Sequence, residues 1–154
     1  MAQFKVVATG GTFDVIHQGH IALLDESFSI SEKVIIGLTS DELAKKKGKT
    51  LWHNYSQRFD SLEQLIKKKF PGKSYLISKL ENDFGPAAIE GDIEALVVSG
   101  ETAYQGDILN ELRRQKNLPS VKVVVVPLVL AKDGKRISST RIRNSEIDAQ
   151  GNLL

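Results

Sequence analysis

The chain has 154 residues, 41% of them apolar, which is enough to bury one hydrophobic core, and it is read as a single domain spanning 1–154. A net charge of +2 argues against nucleic acid or an anionic membrane as the main partner, and the absence of cysteine excludes disulfides, thiolate nucleophiles and cysteine-ligated metals. No run approaches the roughly 20 apolar residues of a membrane span and no secretory leader is evident, so a soluble, cytoplasmic domain is expected.

The first element is the apolar stretch Phe4–Thr9, a buried strand. It leads into Gly10-Gly11-Thr12-Phe13-Asp14-Val15-Ile16-His17-Gln18-Gly19-His20, after which apolar spacing turns helical over Gln18–Phe28. A strand, a glycine turn and a helix N-terminus make an anion site, because unpaired backbone N–H groups and the positive helix end converge there. Gly10 and Gly11 permit positive φ and leave room for a phosphate against the backbone. Asp14 reads as a turn cap. Two of the three histidines, His17 and His20, fall within this one helix start. Zinc would need further ligands that the pair lacks. Imidazole N–H groups donating to a phosphoryl oxygen suit the pattern better. The glycine spacing is neither that of a dinucleotide fingerprint nor that of a P-loop.

A second strand is placed at Lys33–Leu38 and a helix at Ser40–Lys46. The cluster Lys45-Lys46-Lys47-Gly48-Lys49 follows, a loop suited to close over an anionic substrate, which Arg58 is expected to join. His53 is read as structural. Helix Tyr55–Phe70 carries the apolar stripe Phe59, Leu62, Leu65 and Ile66, with Lys67-Lys68-Lys69 as a solvated end and Pro71-Gly72 as a stop. Strands at Ser74–Ser78, Ala95–Ser99 and Val121–Pro127 alternate with a helix at Gly106–Lys116, and a short helix begins at about Ser138. Alternation of strand and helix implies a Rossmann-like, doubly wound five-stranded parallel α/β sheet, whose ligands bind beyond the strands' carboxyl ends. The last cluster, Lys135-Arg136-Ile137-Ser138-Ser139-Thr140-Arg141-Ile142-Arg143, has three consecutive hydroxyls where capping needs one. Backed by Arg141 and Arg143, it reads as a second phosphate cradle.

His17-Gln18-Gly19-His20 and Ile137–Arg143 together resemble the HxGH nucleotidyltransferase superfamily and its ISSTxxR-like second signature. Asp41-Glu42 through Lys47, Lys49 and Arg58 looks like the cytidylyltransferase branch as well. The middle of the chain is more selective. Asp83-Phe84-Gly85-Pro86, Ala95 through Thr102, Gly106, Asn110, Arg113 and Leu118-Pro119 are similar to the phosphopantetheine adenylyltransferase family of the archaeal and eukaryotic type; Gly100 departs from its pattern.

That resemblance implies transfer of AMP from ATP to 4′-phosphopantetheine, giving dephospho-coenzyme A and pyrophosphate, by in-line attack without a general base. It further implies His20 on the α-phosphate, with His17 beside it and Gly10, Gly11, Thr12 and Phe13 around ATP. The acceptor phosphate would lie between Thr12 and the Lys47/Lys49 loop, with Arg58 adjoining. Ser138, Ser139, Thr140 and Arg141 would hold the β- and γ-phosphates, and Glu101 would face the nucleoside. Mg²⁺ is expected on the ATP phosphates with no protein ligand set, and coenzyme A as a feedback ligand in the same groove. Two alternatives stay open: a cytidylyl- or adenylyltransferase acting on glycerol 3-phosphate or on a flavin or nicotinamide mononucleotide, and a non-catalytic nucleotide-binding module. Oligomeric state is left undetermined.

Overall fold

In a computed structural model, residues 2–85, 88–89 and 91–154 are described. Their elements run β1 (Phe4–Gly11), α1 (Gln18–Ile30), β2 (Ser31–Thr39), α2 (Asp41–Lys46), α3 (Tyr55–Lys69), β3 (Ser74–Leu80), β4 (Ala95–Ser99), α4 (Tyr104–Gln115), β5 (Lys122–Val126) and α5 (Ser139–Arg143). The strands form an all-parallel sheet of order β3-β2-β1-β4-β5 among the described residues, the doubly wound arrangement expected. The chain winds outward from β1 to β3 and then restarts at β4 on the other side of β1. The crevice at that reversal, beyond the carboxyl ends of β1 and β4, is where such sheets bind ligands.

Side chains alternate across the sheet, so each central strand feeds two cores. On one face Val7, Val34, Ile36 and Val97 pack with Leu24 and Phe28 of α1 and Leu62 and Ile66 of α3. On the other Ala8, Leu96 and Val98 pack with Leu109 of α4. Leu24, Leu62 and Leu109 are fully buried, each worth roughly 2 kcal/mol of transfer free energy. A third, smaller cluster of Ala131, Ile137 and Ile147 supports α5. Because α1 and α3 both lie on the first face, the second face over β2 and β3 stays partly open, and Leu76 there is half-exposed.

Two local boundaries are corrected. β1 runs through Gly10 and Gly11, neither with positive φ; in this loop Phe13 takes that conformation, at φ 51°. Gly10 is needed for closeness instead, since a Cβ there would lie 2.9 Å from the Gly37 carbonyl oxygen on β2. α4 begins at Tyr104, not at Gly106, which lies inside it. A Cβ on Gly106 would come within 2.3 Å of Val123, so this glycine lets α4 press against β5. Pro86 of the Asp83–Pro86 motif lies outside the described residues. Among the described residues no helix is long and apolar enough to cross a membrane.

Candidate active site

A cavity of about 550 Å³ opens beyond the carboxyl ends of β1 and β4, within the size range of small-molecule sites. Its floor is Gly10 and Gly37, paired across β1 and β2, and one wall is α1 with His17, Gly19 and His20. The loop after α2 brings Lys47 and Lys49, the segment after β3 brings Asp83 and Phe84, and the segment after β4 brings Glu101. α5 and the residues before it contribute Arg136, Ser138, Ser139, Thr140 and Arg143. Residues as distant in sequence as Gly10 and Arg143 thus converge on one crevice, as the two histidine- and hydroxyl-rich clusters imply.

The histidines form a reciprocal cap. His17 is the N-cap of α1 and its Nδ1 accepts the Gly19 N–H at 3.0 Å, while the His17 N–H donates to His20 Nδ1 at 3.2 Å. The rings stack with centroids 3.8 Å apart, and His20 also packs on Phe13. A neutral imidazole has one donor and one acceptor nitrogen. With both Nδ1 atoms accepting, the proton of each ring lies on Nε2. Burial pushes the pKa of His17 down to about 4, helped by Arg136. It pushes His20 well below the usual value, helped by His17 and Lys49. Both rings are therefore neutral near pH 7, each with an Nε2–H left to donate. Gly19 makes this possible: a Cβ there would sit 2.9 Å from His17 Cε1.

Cations crowd the cavity, and each leans on an oxygen. Lys47 Nζ pairs with Asp83 at 2.6 Å, and Arg136 with Glu101 at 2.8 Å. Arg143 pairs with Asp14 at 2.6 Å, and Lys49 Nζ donates to Thr12 Oγ1 at 3.0 Å. Burial, with Lys47, Arg143 and Arg136 following, lowers the pKa of Lys49. Such mutual repulsion is relieved by a bound anion. The three hydroxyls divide their work: Ser138 Oγ caps α5 through the Arg141 N–H, Ser139 Oγ bonds both the N–H and the carbonyl of Val15, and Thr140 Oγ1 accepts from Arg143.

Two expected residues do not reach the cavity. Arg58 is fully buried beneath it, donating to the carbonyls of Thr12 (2.8 Å), Thr39 (2.7 Å) and His53 (3.2 Å) and pairing with Asp41 at 2.7 Å. It ties the site's loops together from behind. Arg141 turns away to Asp133, Glu146 and the Arg136 carbonyl. Residues two apart on a helix point about 200° apart, so Arg141 and Arg143 cannot both face one cavity. Arg143 takes the inward place, and Arg136 joins it. Asp14 is more than a turn cap, receiving the N–H groups of Trp52 and His53 at 3.0 Å each. His53 is structural as expected, its ring Nδ1 lying 2.9 Å from the Asp14 carbonyl.

Residues 8–145 match the cytidylyltransferase-like family, a span that includes both signature clusters. The phosphopantetheine adenylyltransferase of Methanothermobacter thermautotrophicus is 39% identical over 152 residues, covering 99% of this chain and 91% of that protein. The enzyme of the same name from Methanosarcina barkeri is 43% identical over 150 residues, covering 96% of this chain and 91% of its own. This chain belongs to the phosphopantetheine adenylyltransferase family, within the cytidylyltransferase-like group. Among solved structures, a protein of unknown function from Archaeoglobus fulgidus superposes with a TM-score of 0.70 at 30% identity, covering 78% of this chain and 87% of that one. The tyrosyl-tRNA synthetase of the same organism matches with a TM-score of 0.65 at 14% identity over 92% of this chain and 60% of its own, a likeness of fold alone.

Proposed function

We propose that this protein transfers AMP from ATP to 4′-phosphopantetheine, yielding dephospho-coenzyme A and pyrophosphate. The observation that carries the chemistry is the reciprocal His17–His20 cap, which leaves two Nε2–H donors at a crevice lined by Lys47, Lys49, Arg136 and Arg143. An oxygen of the phosphopantetheine phosphate attacks the α-phosphorus of ATP in line. The bond from that phosphorus to the bridging oxygen breaks, and the electron pair leaves on pyrophosphate. The attacking phosphate is already anionic, so no general base is required. Catalysis then rests on alignment and on donors aimed at the charge that develops.

In this scheme Thr12 and Lys49, already in contact, hold the acceptor phosphate together with Lys47. His20, with His17 beside it, donates to the α-phosphate. Ser139, Thr140, Arg136 and Arg143 face the β- and γ-phosphates, while Glu101 and the segment after β4 face the nucleoside. Magnesium would arrive with ATP on its phosphate oxygens. Among the described residues no cluster of three or more His, Asp or Glu suits a metal, and Asp14 already receives three donors. The open sheet face with Ala8, Ile35, Leu80, Phe84 and Leu96 continues from the phosphate end of the cavity. It favours an acceptor with an extended, uncharged arm over one as short as glycerol 3-phosphate. Coenzyme A, bearing that same arm, would compete for this groove.

The deciding experiment is pyrophosphate release with magnesium, comparing ATP with CTP and phosphopantetheine with glycerol 3-phosphate and with flavin and nicotinamide mononucleotides. Turnover with ATP and phosphopantetheine alone is the expected result. Turnover with another pair would reassign the substrate. Tight ATP binding without turnover on any pair would make the protein a nucleotide-binding module.

A further inference from the structure

A carboxylate beside a phosphate-binding loop opposes the charge of the ligand, yet Asp14 lies there with its side chain 1% exposed. Its Oδ1 accepts the His53 N–H at 3.0 Å, and its Oδ2 accepts both the Trp52 N–H at 3.0 Å and Arg143 Nη1–H at 2.6 Å. Burial alone would raise its pKa, but the Trp52 and His53 N–H groups and Arg143 hold it below the usual value, so the group is ionised. Trp52 and His53 close the loop that carries Lys49, and Arg143 is the last residue of α5, which carries Ser139 and Thr140. Ser139 in turn bonds Val15, the neighbour of Asp14.

We infer that Asp14 is a positioning residue that holds the Lys49 loop and the α5 cradle in register across the cavity, without itself touching substrate. The inference rests on the adenylyl transfer proposed above. In-line displacement needs the attacking oxygen, phosphorus and leaving oxygen near one line. Here the acceptor side is held by Thr12 and Lys49 and the leaving side by α5. A single carboxylate bonded to both sides sets their separation, and a misplacement of about 1 Å can cost roughly a hundredfold in rate. Conversely, a carboxylate that already accepts from three protein donors and is 1% exposed offers a ligand little access.

The test is Asp14→Asn, which keeps the shape but places an amide donor against Trp52 N–H or Arg143. With the full chain, ATP, magnesium and phosphopantetheine, kcat should fall at least tenfold while both KM values move less than threefold. In an Arg143→Gln background the same change should cost at least threefold less in kcat than in the wild type, since part of its effect runs through Arg143. An unchanged kcat, or equal fold-losses in the two backgrounds, would overturn the inference. If Asp14→Asn does not fold, Arg143→Gln alone decides, because it leaves both backbone donors on Asp14 intact. Loss of Arg143 should then alter the emission of Trp52, the chain's one tryptophan, whose N–H shares Oδ2 with the guanidinium. Unaltered Trp52 emission in that variant would overturn the coupling. This readout needs no turnover, so it still applies if the wild-type chain proves silent with ATP and phosphopantetheine, a result that would refute the adenylyl transfer.

Discussion

The imidazoles of His17 and His20 stack at 3.8 Å, each with Nδ1 bound to a backbone N–H of the same helix start. Capping thus decides the tautomer, and the tautomer decides which nitrogen meets a phosphate. Its pH signature follows. His17 titrates at about 4 in the folded chain against about 6.5 when unfolded, and His20 is depressed in the same direction. Between those values the unfolded state takes up a proton that the folded state refuses. Stability contributed by the neutral rings is therefore full above about pH 6.5 and declines as pH falls toward 4. From His17 alone the loss between pH 7 and pH 5 is on the order of 2 kcal/mol. Urea unfolding across this range, with NMR titration of the ring protons, checks both the window and the assignment; rings titrating near 6.5 would refute the buried neutral pair.

His20→Ala should lower turnover about 10²-fold, as loss of one transition-state donor does, roughly 3 kcal/mol of barrier. It also removes the acceptor for the His17 N–H, at about 1 kcal/mol of stability. Steady-state kinetics and thermal melts separate the two effects, and near-normal turnover would remove His20 from the chemistry.

Gly19→Ala makes a sharper test of the same geometry. Within a helix this change ordinarily stabilises by about 1 kcal/mol. Here the new Cβ would meet His17 Cε1 at 2.9 Å and displace the ring. Turnover should drop at least fivefold with little change in melting temperature. Unchanged turnover would show that the position of the His17 ring is not used.

Lys47 and Asp83 pair at 2.6 Å with both side chains substantially exposed, so the pair adds little stability and must open for Lys47 to bind phosphate. Lys47→Ala should raise KM for the acceptor several-fold and leave ATP binding nearly unchanged. Asp83→Asn should do the reverse for the acceptor, lowering its KM about twofold to threefold by freeing the lysine. If Asp83→Asn instead raises that KM, the carboxylate orients the loop and does not compete with the substrate.

Arg58→Leu distinguishes an interior tie from a substrate contact. Removing a buried guanidinium leaves the Thr12 and Thr39 carbonyls without their donor, and loss of one partner of a buried ion pair costs about 3–5 kcal/mol. Chemical denaturation should register a loss at the lower end of that range, since Asp41 is half-exposed and regains water. Stability close to wild type together with a raised acceptor KM would return Arg58 to the substrate.

The five strands and their alternation with helices were legible because apolar runs and turn residues are local signals. Element ends shifted at Gly10 and Gly106, where glycine served proximity and not conformation, since a close approach to a distant strand is something periodicity does not register. Of the three arginines in the last cluster, the sequence offered Arg141 and Arg143 for the cradle. The 100° turn per residue of α5 let only Arg143 face inward. Arg136, in the same cluster, carried no local mark beyond its charge; its pairing with Glu101 at 2.8 Å exists only because the segment after β4 and the approach to α5 meet over the sheet.

By itself the sequence determined the alternating α/β layout, the two phosphate-binding clusters and the family they resemble, because each is written in residues a few positions apart. Only the tertiary structure decided how charge is distributed around them. It buried Arg58 as a tie, turned Arg141 outward, and made Asp14 the meeting point of residues 38, 39 and 129 positions away. A carboxylate's role depends on which donors surround it in space, and that is settled by how the sheet brings its loops together, not by the residues beside it in the chain.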